Sequence, residues 1–344
     1  RDYKVTGVQT CALPISIRDV AAEAGVSHQT VSRVINDNER VSPETRAKVE
    51  AAIESLGYSP SAIARSMAKG RTGILACIAP NLTDYTFARI IQGAEQEARQ
   101  HGFFLLSASA PDEQIFTALI EQLVPSRQTE GIMVINPYAD GRFNHLPDQF
   151  PVVFAGARPR EDAVNSVALD DVAVAVTATN HLLQQGHRHI ATITGRMVED
   201  CAQDRLAGYQ QALQSAGLPQ PPQFVVEGDW QAASGFAALH QLMQADTPPT
   251  AIFVQNDQMA AGVLRAAAEL NLVVPDQLSL IGVDDIPMAS YLSPPLTTLR
   301  QDFAEIGRLA AQLLIEAVSN PNTQKQHLTL PATLVSRHST TPIL

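Results

Sequence analysis

The sequence predicts two parts of different class: a small all-α unit near the N-terminus, and a larger α/β part with parallel sheets in two lobes. Three observations lead there. Between Ser16 and Gly57, three short amphipathic segments each carry a helix start signal, and two of them end on glycine. From Ile74 onward, short apolar runs alternate with longer helical patterns, as buried strands do when helices cover both faces of a parallel sheet. That alternation lasts about 270 residues, long for one such sheet, so it divides into two lobes.

The small unit reads element by element. Ser16-Ile-Arg-Asp19 has the form of a capping box, with Asp in place of Glu, and opens a helix to Ala24. Gly25 ends it, because glycine tolerates the left-handed turn. Ser27 is a good N-cap for a second helix, with Val26 and Val31 placed as a hydrophobic staple. Ser42-Pro43 starts a third, through Val49, Ile53 and Leu56 to Gly57. Two helices joined by a tight glycine turn, with a third behind them, are the helix-turn-helix layout. Tyr58-Ser-Pro60 then breaks the chain, residues 61–69 read as one more short helix, and Gly70 to Gly73 as a linker.

In the larger part, strands are expected at 74–79, 103–107, 131–135, 151–154, 190–194, 224–227, 251–254 and 278–283. Helices are expected at 87–101, 171–185, 202–216, 257–270 and 302–318. Ligands of such folds sit beyond the C-terminal ends of the strands, here in a cleft between lobes. The pattern divides the chain into a leader at 1–16, a helix-turn-helix unit at 17–60, a short helix and linker at 61–72, and a two-lobed α/β part at 73–344. The chain is expected to cross between lobes near 169, 297 and 328.

The 344 residues are 45% hydrophobic and 17% charged, an ordinary globular balance. No apolar run reaches the ~18 residues of a membrane helix. A net charge of -11 argues by itself against a nucleic-acid binder. Its distribution reverses that argument. Residues 17–72 hold 8 Lys/Arg and 7 Asp/Glu, while residues 73–344 hold 14 and 27, so the acidity belongs to the larger part. DNA affinity then rests on a few placed cations and helix N-termini, doubled by a dimer. The three cysteines are odd in number and unpatterned, which points to a reduced cytoplasm without disulfides or zinc. Val5 to Ile15 resembles the in-frame translation of a sequencing adapter and is set aside, with Ser16 in doubt. A secretory signal fits less well, since its apolar run is short and holds Pro14.

On the second helix, Val31, Val34 and Ile35 form an apolar stripe. His28, Gln29, Ser32 and Arg33 form a polar face. The first residues of such a helix meet base edges. Gln can bond adenine through two hydrogen bonds, Arg can bond guanine the same way, and His can donate or accept. Ser27, Thr30 and Asn36 have the size for phosphate contacts. A plain solvated face is the rival reading for one isolated helix, and the three-helix setting weighs against it.

The run Ile17-Arg-Asp-Val-Ala-Ala-Glu-Ala-Gly-Val-Ser-His-Gln-Thr-Val-Ser-Arg-Val-Ile-Asn36 resembles the DNA-binding signature of the lac repressor family, and the resemblance extends to about Pro342. It implies that His28, Gln29 and Arg33 read bases, supported by Ser27, Thr30, Ser32 and Asn36. It implies a hinge helix at 61–69, including Ala64, whose apolar wedge enters the minor groove. The family usually has Leu at the wedge, and this chain has Met67, which is apolar and flexible enough to serve.

The rest resembles the family's periplasmic-binding-protein-like core. The matching stretches are Glu227-Gly-Asp-Trp230 with Ser234-Gly-Phe236, Asn256-Asp-Gln-Met-Ala260, Gly282-Val-Asp-Asp285, and Pro294 to Phe303. By that resemblance Arg205, Asn256 and Asp284 bind ligand hydroxyls, where charge-assisted hydrogen bonds give direction. Trp230, the single tryptophan, stacks on a pyranose ring. Phe87 supplies a second apolar wall, and Gln301 adds a polar contact at a crossing between lobes. Bland alternatives are a core Trp230, a surface ion pair for Arg205 and a helix cap for Asp284. Gly156 stands where the family's type member has a carboxylate, so a galactoside is not implied. No leucine-heptad tail follows, so a homodimer is expected.

The expected function is a sequence-specific transcriptional regulator, most readily a repressor released from a pseudo-palindromic operator by a small sugar or glycoside. A corepressor-activated regulator and a transporter's sugar-binding protein are the alternatives. No GxGxxG, Walker A, HExxH or GxSxG motif occurs, so neither an enzyme nor a cofactor nor a metal is expected, and no membrane partner.

Overall fold

The structure, a computed structural model, describes residues 15–35, 40–58, 71–135, 138, 141–147, 149–156, 158 and 164–343. Chain contacts divide it between Thr72 and Gly73 into two compact units. Asn36, the predicted hinge segment 61–69 with Ala64 and Met67, and leader residues 1–14 lie outside the described residues.

The first unit contains α1 (Ile17–Ala24), α2 (His28–Ile35) and α3 (Pro43–Leu56), the three helices the sequence predicts. The Asp19 carboxylate reaches back to the Ser16 backbone N–H and hydroxyl, each at 2.7 Å. Gly25 sits at φ 65°, the left-handed conformation that lets α1 stop and α2 begin. Ser27 Oγ accepts from the Thr30 N–H at 3.1 Å, and Ser42 Oγ from the Thr45 N–H at 3.3 Å. Val20, Ala21, Val31, Val34, Val49 and Ala52 are buried together, with Val26 packed against them.

The second unit is built on two six-stranded sheets. The first contains β1 (Ile74–Ala79), β2 (Phe104–Ser109), β3 (Gly131–Val134), β4 (Val152–Ala155), β5 (Asn165–Leu169) and β11 (His327–Leu330). Its order is β11-β5-β4-β3-β1-β2, and every pairing is parallel. The second contains β6 (Ile190–Thr194), β7 (Val225–Glu227), β8 (Ala251–Val254), β9 (Ser279–Asp284), β10 (Thr297–Arg300) and β12 (Thr333–Val335). Its order is β12-β10-β9-β8-β6-β7, parallel except for β12. Each sheet carries an apolar core on both faces. No helix among the described residues is long and apolar enough to cross a membrane.

The chain passes between sheets three times, after Leu169, after Arg300 and after Leu330. The helix that follows each of the first two passages packs on the lobe just entered. α6 (Asp171–Gln184) lies on the second sheet, and α10 (Phe303–Ser319) returns to the first. There α10 clasps α4 (Tyr85–Gln100) at backbone distance. A Cβ on Gly93 would stand 1.9 Å from the Ala304 carbonyl oxygen, and one on Gly307 1.9 Å from that of Ile90. This clasp fixes the start of α10, and with it the passage that holds Gln301.

The sequence reading omits strands β5, β10, β11 and β12 and two helices, α5 (Glu113–Leu123) and α8 (Ala232–Leu242). It places the other elements within one to two residues, apart from short overruns at strand ends.

Candidate functional site

The first unit turns one face of α2 inward and displays the other. Val31 and Val34 are buried. Ser27, His28, Gln29 and Arg33 are exposed, and Thr30 and Ser32 are half-buried. Ser27 and Thr30 also hold the helix start, their hydroxyls 2.9 Å apart. The base-reading candidates are therefore anchored by a fixed first turn, and their own side chains are open to a partner.

In the second unit a cavity of about 220 Å³ opens between the lobes, and Phe87, Arg205, Trp230, Asn256, Asp284 and Gln301 all line it. Phe87 comes from the first lobe, at the start of α4, which is capped by Asp84 through the Thr86 N–H at 2.8 Å. The others come from the second lobe and from the second passage.

Their roles in the fold differ. Arg205, on α7 (Asp200–Ser215), is 5% exposed. It donates to Asp171 at 2.7 Å and to the Gln255 carbonyl at 2.5 Å. It forms a buried pair, not the surface pair weighed above. Asn256 caps α9 (Asp257–Glu269) by accepting from the Met259 N–H at 2.8 Å, and donates to the Trp230 carbonyl at 3.0 Å. Of the bland readings, the helix cap thus falls on Asn256 and not on Asp284.

Asp284 is 7% exposed, and its carboxylate has no hydrogen-bond partner among the described residues. Burial pushes its carboxyl well above the usual range, while Arg205 pulls it back. Gln301 is 5% exposed, and both its Oε1 and Nε2 are buried without a partner. Each such group destabilises a folded chain by about 1–3 kcal/mol unless something bonds to it. Trp230 at φ 73° and Asp284 at φ 112° hold backbone conformations that side-chain-bearing residues rarely adopt, a strain that gathers at binding sites. Asp285 braces that loop, accepting from Arg300 and Arg337 at 2.6 Å each.

Trp230 stands on Gly195, where a Cβ would lie 1.9 Å from the indole. Its Nε1–H donates to Glu199 at 2.8 Å, and the Arg205 guanidinium is 5.9 Å from the ring centre. Burial pushes the Glu199 carboxyl up to about 7, against the lowering effect of the Trp230 hydrogen bond. Sequence reasoning misses Glu199 and Asp171 in this lining, because nothing local marks them, and it assigns no role to Phe303, which also lines the cavity. Gly156 lines the cavity at φ 73°, so strand β4 offers no carboxylate there.

Comparisons with known proteins agree with both units. The family model "Bacterial regulatory proteins, lacI family" matches residues 16–61, and "Periplasmic binding protein-like domain" matches 179–340. The ribose operon repressor of Escherichia coli (strain K12) is 35% identical over 328 residues, covering 94% of this chain and 99% of the relative. The chain belongs to the lacI family of bacterial regulatory proteins. Among solved structures, the lac repressor dimer bound to operator and the anti-inducer ONPF aligns with a TM-score of 0.85 at 31% identity, over 96% of this chain and 100% of that one. A complex of the transcriptional regulator CelR with cellobiose aligns at 0.74 and 30%, over 94% and 99%. This lacI-family protein is a DNA-binding regulator and not an enzyme. Its first unit is the helix-turn-helix domain, and its second has the periplasmic-binding-like fold.

Proposed function

We propose that the chain represses sugar-utilisation genes, binding a pseudo-palindromic operator as a homodimer and leaving it when a small sugar or glycoside fills the cleft. The observation that carries the effector half is Gln301, a buried amide facing the cavity with neither end bonded. Together with Asp284 it leaves donors and acceptors unanswered, and a polyol answers both kinds. A volume of about 220 Å³ is below the ~300–1,000 Å³ of drug-sized sites, which favours a monosaccharide. The names of the ribose operon repressor and the cellobiose complex support the ligand class.

In this reading His28, Gln29 and Arg33 read bases, with Ser27, Thr30, Ser32 and Asn36 at phosphates, and Ala64 and Met67 act in the minor groove. Phe87, Arg205, Trp230, Asn256, Asp284 and Gln301 form the effector site, with Arg205 and Asn256 holding the walls as well as facing the ligand. Phe104, 79% exposed, and Leu106, 47% exposed, project from edge strand β2 and suit an interface between two copies. The domains run 17–60, 61–72 and 73–344, and the protein works in the cytoplasm.

Fluorescence anisotropy on a labelled palindromic operator tests this. The expected result is tight binding, reversed by one member of a panel of free monosaccharides and glycosides. Arg33→Ala should lose roughly 1–3 kcal/mol and relax specificity at one base pair. Wild-type affinity in that variant would remove Arg33 from the base readers. A sugar that tightens binding would make the protein corepressor-activated.

A further inference from the structure

Glu199 occupies a position that no sequence motif singles out. It precedes α7 at the N-cap but makes no side-chain cap. Instead its carboxylate turns into the cavity, 6% exposed, and one oxygen accepts from Trp230 Nε1 at 2.8 Å. The other oxygen, Oε1, has no partner among the described residues. The Glu199 backbone pairs with Tyr138 of the first lobe in an isolated antiparallel bridge. One residue thus holds the ring proposed to stack on the ligand, presents a free acceptor beside it, and touches the opposite lobe.

The charges around it are specific. Arg205 on α7 is already bonded to Asp171 and a carbonyl. Arg196 on the loop after β6, Asp84 before α4, and Asp229 beside Trp230 are the ionisable groups nearest the carboxylate among the described residues, with Cys201 two residues on, in the first turn of α7, and Asp284 across Arg205. Asp84, Glu199, Asp229 and Asp284 therefore face one cation, Arg196, that makes no ion pair among the described residues. A phosphate dianion entering here meets like charge, whereas a hydroxyl meets acceptors.

Building on the sugar-effector reading, we propose that Glu199 is a specificity-determining residue. Its Oε1 accepts a hydroxyl of a free, uncharged sugar, and its charge turns away the phosphorylated form of the same sugar. A ligand hydroxyl donates only to the ionised carboxylate with full strength. With burial holding that group near 7, the sugar binds more tightly at pH 8 than at pH 6.

The single tryptophan makes the first half testable without a ligand. Emission of the full-length protein should titrate with a midpoint near 7, and Glu199→Gln, which keeps an acceptor for the indole, should abolish that titration. An unchanged titration in the variant overturns the coupling. Calorimetry with the panel sugar that releases operator, and with its phosphate ester, tests the second half at pH 6 and 8. Expected are a several-fold tighter sugar at pH 8, a ten-fold or greater preference over the ester, and loss of both in Glu199→Gln. Sugar binding that is equal at the two pH values, or equally pH-dependent in the variant, overturns the role of Glu199 alone. Silence of every sugar at both pH values overturns the sugar reading on which the proposal rests.

Discussion

The two units both offer polar groups to a partner, but they do so at opposite energetic expense. α2 displays His28, Gln29 and Arg33 in water, on a helix held from behind by Val31 and Val34. Those side chains are hydrated until DNA arrives, so displaying them takes little from stability. The cleft withdraws the side chains of Gln301 and Asp284 from water and gives them no hydrogen-bond partner among the described residues. The ligand-free second unit is strained by its own binding groups, and the first is not. Reading DNA can thus be separated from stability, whereas sensing a small ligand cannot.

The strongest way to break the comparison is to attack what lies behind the displayed face. Val31→Asp puts a charge into a core of six small side chains and should unfold the first unit, at more than about 3 kcal/mol. Operator binding should vanish while the second unit keeps its own calorimetric transition and its sugar affinity. A pair of substitutions of similar size then sharpens the contrast. Gln301→Leu should raise the melting temperature of the ligand-free second unit, by about 1–3 kcal/mol of stability, and weaken effector binding at least ten-fold. Arg33→Ala should leave stability within ~0.5 kcal/mol while losing operator affinity. If Gln301→Leu is destabilised, the amide has a partner in solution and the contrast fails.

Smaller effects follow. Phe104→Glu should raise the dimer dissociation constant about ten-fold, roughly 1.4 kcal/mol, by sedimentation, with sugar binding unchanged. The smallest is a pH effect. Glu199 and Asp257 titrate near 7 when folded because burial raises them, and burial raises Asp284 as well. Unfolded, they ionise at ordinary values, so stability is full below about 4 and is lost as pH climbs toward 7. His181 and His187, which burial holds below the usual imidazole value, oppose this, because folding favours their neutral forms as pH rises. A net loss on the order of 1 kcal/mol between pH 5 and 8 is expected in urea titrations.

The same contrast explains what the sequence discloses. The first unit is written in local signals, since Ser16, Gly25, Ser27, Ser42 and Gly57 each act within four residues of themselves. The cleft is assembled over long separations. Glu199 meets Trp230 31 residues on, and Arg205 meets Asp171 34 residues back. Resemblance brings Trp230, Asn256, Asp284 and Gln301 to the cavity, but not Glu199 or Asp171, which no quoted motif contains. Strand β5 opens on Asn165 and Ser166, which look like loop residues. They are buried because Asn165 accepts from Gln326 N–H at 2.9 Å and Ser166 meets His327 at 2.9 Å, across 161 residues. Helix α5 is a plain omission. Asp112 caps it, and Phe116, Ile120 and Leu123 form a readable apolar stripe.

The three passages between sheets also bear on the order in which the protein is made. Strand β11 completes the first sheet and β12 the second, and both follow every other strand along the chain. The helix-turn-helix unit leaves the ribosome before the second unit and can fold by itself, since domains generally fold in order of synthesis. While the second unit is being made, then, the growing chain carries a reader without a complete sensor, because neither sheet has all its strands until residues 327–335 have emerged.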